Sequence, residues 1–101
     1  MNALRDHVDQ VTLVDHHCHG ITLDPLSRGD LELLITESGV LHHRSHFDTP
    51  TGLAVRAECA PLLDLPRHCS AEEYTARRTE LGPREVAQRL LQATGIGAFL
   101  V

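Results

Sequence analysis

Leu13-Val14-Asp15-His16-His17-Cys18-His19-Gly20 decides how this chain is read. The run Val11-Thr12-Leu13-Val14 reads as a short buried strand, and it feeds directly into Asp-x-His-x-His and a glycine. On an extended backbone side chains alternate, so Asp15, His17 and His19 fall on one face while His16 and Cys18 fall on the other. Two imidazoles on one face can converge on a single divalent ion at metal–nitrogen distances of about 2.0–2.1 Å. They make half a site, because catalytic zinc centres usually add at least one more protein ligand and keep a position for water. An isolated His-x-His more often does no more than hydrogen-bond at a strand end. The apolar strand before it, and its place at a strand's C-terminal end where barrel enzymes hold their active sites, favour the metal.

Outward from this motif the chain reads as helices. Asn2 to Gln10 carries Leu4 and Val8 at helical spacing, continued by Val11. Gly20 to Gly29 is a loop with Asp24-Pro25 and Arg28-Gly29 as turns, after which Asp30 caps a helix to about Ser38 that Gly39 closes. Thr49-Pro50 is an N-cap and first-turn pair for a helix with Leu53, Ala57 and Ala60 on one face, which Pro61 kinks or ends. Ser70-Ala71-Glu72-Glu73 is a capping box for a helix to about Leu81. Gly82-Pro83 separates it from a helix with Val86, Ala87, Leu90 and Leu91 on one stripe, stopped by Gly95. Gly97 to Val101 reads as a second strand. Strands joined through helices favour a parallel crossover, and a parallel sheet needs cover on both faces that two strands cannot supply themselves.

The 101 residues are 42% hydrophobic and 23% charged with a net charge of −5, which suits one globular unit and excludes an array of domains. The acidic balance argues against nucleic acid or an anionic membrane as partner, since counterion release needs clustered cations. No apolar run approaches the roughly 18 residues of a membrane span, and the first residues lack a signal-peptide pattern, so the cytoplasm is the expected compartment. Cys18, Cys59 and Cys69 are odd in number and at no metal-ribbon spacing, so reduced thiols are expected. All nine basic residues are Arg, which rules out a Lys Schiff base or carbamate within the chain.

The strand-one element resembles that of the amidohydrolase superfamily of metal-dependent barrel enzymes, whose first strand ends in an His-x-His pair. It looks closest to the amidohydrolase-related branch that includes metal-dependent decarboxylases and the amidohydrolase domains associated with glutamine synthetase-like proteins. Residues 76–82 and 89–101 look like that branch's helix and second-strand pattern. The resemblance implies an α/β fold class: the N-terminal portion of a (β/α)8 TIM barrel, mostly helical in this stretch, with two short parallel strands. Residues 1–101 would form one N-terminal fragment of the barrel domain, with strand one at about 11–16, a helical insertion at about 30–94 and strand two at about 97–101. It also implies that His17 and His19 are metal ligands and that Asp15, on the same face, orients them. The family's later ligands and its proton-shuttling aspartate have no counterpart here, so no catalytic residue is expected within the stretch. A single zinc ion is the implied cofactor, because the bridging carbamylated Lys of two-metal members is impossible.

The implied activity is hydrolysis of an amide or related C–N bond in a small molecule by metal-activated water. The alternatives are a decarboxylase of the same superfamily and a non-catalytic helical module whose histidines are structural. A homo-oligomer of the full-length protein is compatible with either enzyme. His42-His43-Arg44-Ser45-His46 is a second histidine cluster, expected to be a solvated or roof loop from which Arg44 or His46 would contact an anionic substrate. Cys18 is expected to pack away from the ligands, Cys59 and Cys69 to be inert, and Tyr74 to lie in the core or at its rim.

Overall fold

The computed structural model describes residues 2–101. Helix α1 spans Ala3–Gln10, opened by the Asn2 side chain accepting the Arg5 amide, and leads into strand β1, Leu13–Asp15. Helix α2 covers Arg28–Ile35; a single 3-10 turn, His46–Asp48, precedes helix α3, Pro50–Ala54. The chain continues through a π turn over Val55–Cys59 and a 3-10 turn over Ala60–Leu63. Helices α4, Ala71–Leu81, and α5, Pro83–Gln92, lead to strand β2, Ile96–Phe99.

These elements overturn the expected barrel portion. The molecule is mostly helical, and its sheet consists of two strands, β1 and β2, paired in parallel with Leu13 opposite Ile96 and Asp15 opposite Phe99. The physical reason lies in where the apolar surface is buried. Phe47, Ala60 and Leu63 are fully buried and Tyr74 and Val86 nearly so, all of them in helices and turns between the strands. Each such large side chain contributes roughly 1.5–3 kcal/mol on burial. The 28–92 segment therefore makes its own core, with the Phe47 and Tyr74 rings edge to face at 6.0 Å, and does not serve as cover for a sheet. Leu13 and Val14, which a barrel interior would bury, are exposed.

Local chemistry explains the helix boundaries. The Ser27 hydroxyl accepts the Asp30 amide at 3.1 Å while the Asp30 carboxylate accepts the Ser27 amide at 3.0 Å, a reciprocal capping box. Ser27 is thus the α2 cap, three residues before the expected Asp30. The Thr49 hydroxyl caps α3 through the Gly52 amide, and the Ser70 hydroxyl caps α4 through the Glu73 amide. Glu73 closes the latter by accepting the Ser70 hydroxyl proton, not a backbone amide.

Pro61 does not end the helical path, which runs on to Leu63 and stops where Asp64 turns left-handed at φ 65°. The wide π turn rotates the apolar face: Ala57 and Ala60 are buried, but Leu53 is exposed. Arg77 and Arg89 both donate to the Asp64 carboxylate at 3.0 Å and to the Leu63 and Leu62 carbonyls, tying this turn to α4 and α5. Among the described residues, no helix is long and apolar enough to cross a membrane.

Candidate functional site

The β1–β2 ladder runs past the strand ends. Leu100 donates its amide to the Asp15 carbonyl at 2.9 Å, and Cys18 donates its amide to the Leu100 carbonyl at 3.1 Å. The Cys18 thiol also lies against that carbonyl, which keeps it beside β2. Regular strand geometry ends at Asp15, so His17 and His19 are presented by a turn rather than by strand alternation. That turn is stabilised by the Asp15 carboxylate, which accepts the His17 amide at 3.1 Å. Asp15 therefore holds the backbone of the motif through the His17 amide.

The two rings of His17 and His19 lie with centroids 5.8 Å apart and planes at 84°. A ring centre sits roughly 3 Å from a metal bound at about 2.0–2.1 Å, so two imidazoles on one ion have centres roughly 5–6 Å apart. The observed spacing is compatible with that, and equally with an ordinary edge-to-face ring contact. Both residues are exposed, and among the described residues neither ring enters a hydrogen bond, which leaves their nitrogens free to ligate. No group of three or more His, Cys, Asp or Glu capable of holding a metal comes together among the described residues. His17 and His19 thus form a pair of exposed imidazoles to which the described residues bring no third donor.

The second histidine cluster does different work. His46 is only 8% exposed, and its Nε2 accepts the His42 amide at 3.1 Å. His42 Nδ1 in turn accepts the Arg44 amide at 3.1 Å, and the rings of His42 and His43 stack at 4.0 Å. His46 is thus buried with its Nε2 already taken by the His42 amide, although it borders the same open depression as Arg44. Arg44 stays exposed at the border of an open depression of about 930 Å³, which Thr36, Val40, His42 and Thr49 also line.

Glu32, which no local sequence signal singles out, anchors this loop. Its carboxylate accepts the Ser45 hydroxyl at 2.9 Å and the His46 amide, and pairs with Arg28 at 3.4 Å. Burial alone would raise its pKa, but these donors and the Arg28 charge together hold it below the ordinary glutamate value. Arg28 also lies over the Phe47 ring, so the same residue links the loop to the core. Burial raises the thiols of Cys59 and Cys69, which disfavours the nucleophilic thiolate, and it likewise raises the Tyr74 phenol. Comparison with protein-family models, with curated proteins and with solved structures finds no match for the chain.

Proposed function

We propose that this chain supplies the His17–His19 half of a divalent-metal site, zinc by its donor chemistry, for hydrolysis of an amide or related C–N bond in a small molecule. The spacing of the two free rings carries the reading. Both rings are exposed and make no hydrogen bond, unlike that of His46, and of the exposed histidines they are the pair set at this spacing at the end of a strand. A divalent ion supplies Lewis acidity toward a substrate carbonyl and acidifies water. The chain's own part is to hold the His17 and His19 rings with centroids 5.8 Å apart, with the Asp15 turn fixing the backbone that carries them. The carboxylate that would take the proton lies outside this set. A cytoplasmic setting accords with three unpaired cysteines.

Zinc titration of the protein tests the proposal. His17→Ala and His19→Ala should each weaken zinc binding at least about tenfold, or about 1.4 kcal/mol, while His43→Ala leaves it unchanged. Zinc-dependent amide hydrolysis by the complete site should fall with the same two variants. Unaltered stoichiometric binding in both would overturn the reading.

A further inference from the structure

The loop that runs into the His46–Asp48 turn hangs on imidazole nitrogens that accept hydrogen bonds, and an accepting imidazole nitrogen carries no proton. His46 Nε2 accepts the His42 amide at 3.1 Å, which leaves the proton of the neutral ring on Nδ1. His42 Nδ1 accepts the Arg44 amide, also at 3.1 Å. A proton added to either nitrogen turns it into a donor aimed at another donor, and that bond is lost. The rings of His42 and His43 stand 4.0 Å apart, a separation at which two imidazolium charges repel.

The surroundings decide which side of the His42–His46 bond gives way. The His46 amide donates to Glu32, and its carbonyl accepts the Thr49 hydroxyl at 2.6 Å and lies hard against Gly52. Its ring is 8% exposed, whereas His42, His43 and Arg44 are all exposed. Helix α2 brings Arg28 and Glu32 to this region, the turn brings Asp48, and α3 brings no titratable side chain. Glu32 is engaged by Ser45, the His46 amide and Arg28, and Asp48 pairs with Arg56 at 3.3 Å. Among the described residues no carboxylate pairs with His42, His43 or His46, and the remaining charge on the loop is the Arg44 cation.

We propose that residues 42–44 are a pH-operated flap, docked on His46 near neutral pH and released when the imidazoles take up protons. Ordinary imidazoles charge between about pH 7.5 and 5, which sets the working range. The His46–Asp48 turn and the core stay in place, because Glu32, Thr49 and Gly52 hold the His46 backbone without using its ring. His42 and Arg44 form part of the wall of the depression of about 930 Å³, so release of the flap takes that wall away. The inference is independent of the metal reading, since it uses neither His17 nor His19.

Amide hydrogen exchange and ¹H–¹⁵N correlation spectra of the full chain in chelator, from about pH 7.5 to 5, test it. Protection of the His42 amide, corrected for the intrinsic pH dependence of exchange, should fall at least about tenfold as the His46 ring titrates. The Arg44 amide should shift as the His42 ring titrates, while the Phe47 and Tyr74 amides stay unchanged. In His46→Gln the side-chain oxygen accepts the His42 amide and does not titrate, so the fall in His42 protection should disappear. In His42→Asn, at an exposed position where folding is not at stake, the Arg44 amide should likewise lose its pH response. The proposal is overturned if the His42 and Arg44 amides ignore the titration of the rings, if their pH response survives in His42→Asn or a folded His46→Gln, or if the Phe47 and Tyr74 amides lose protection in the same step.

Discussion

The helical body between α2 and α5 and the outlying elements, α1 and the β1–β2 ribbon, are made from similar apolar residues and end with opposite burial. In the body, Phe47, Leu63, Tyr74 and Val86 are enclosed, and Arg28 and Arg78 stack over the two aromatic rings. In the outlying elements, Leu4, Val8 and Val14 share helical or strand spacing yet face water. The difference teaches that periodicity reports which residues share a face, while only the rest of the assembly decides whether that face is covered. It also places the candidate metal ligands on the less covered of the two regions, at the ribbon's end.

The sharpest way to break this comparison is to delete one large side chain from each region. Phe47→Ala should lower stability in urea by about 3–5 kcal/mol, whereas Val14→Ala, at an exposed position, should change it by less than about 0.5 kcal/mol. Equal losses would mean the outlying elements share the core. The same glycine substitution separates the regions at a smaller scale. A Cβ at Gly52 would run into the His46 carbonyl and the Phe47 backbone, so Gly52→Ala should cost about 1–3 kcal/mol. At Gly97 its one close contact would be the Thr12 methyl at 2.7 Å, which an exposed side chain can relieve, with the Leu13 carbonyl at an ordinary 3.8 Å, so Gly97→Ala should stay within about 0.5 kcal/mol.

Caps sharpen the contrast further. Thr49→Ala removes the hydroxyl that accepts the Gly52 amide and should lower stability by about 1 kcal/mol. Asn2→Ala should reduce helicity at α1 without moving the main unfolding transition, because α1 buries nothing. The smallest effect is a pH dependence confined to the body. Glu32 has a folded pKa below its ordinary value of 4.5, so the stability it contributes is present above that value and is lost as pH falls through the lowered one. Glu32→Gln should flatten the acid limb of a stability-against-pH profile; an unchanged limb would show that other carboxylates dominate it.

What could be read from the sequence was local. The caps at Thr49 and Ser70 and the Gly82-Pro83 break were legible, because a hydroxyl accepting an amide three residues on needs no distant partner. Ser27 was missed because Arg28-Gly29 looks like a turn, although Ser27 and Asp30 satisfy the capping-box spacing. The exposure of Leu53 follows from a π turn that no residue type announces. The role of His46 depends on Glu32, fourteen residues away, and could not be read from spacing. At the candidate site, the pairing of His17 with His19 was visible in the motif, but not its presentation by an Asp15-held turn beyond the strand. The barrel expectation failed because a strand motif says nothing of where the next helices bury their apolar faces.

The central claim is that His17 and His19 act together on one ion. Imidazole ¹⁵N chemical shifts recorded during zinc titration test it most directly. The account predicts that one ring nitrogen of His17 and one of His19 move together at the same zinc concentration, while His46, whose Nε2 already accepts an amide, stays put. Movement of His42, His43 or His46 with His17 and His19 unchanged would contradict it.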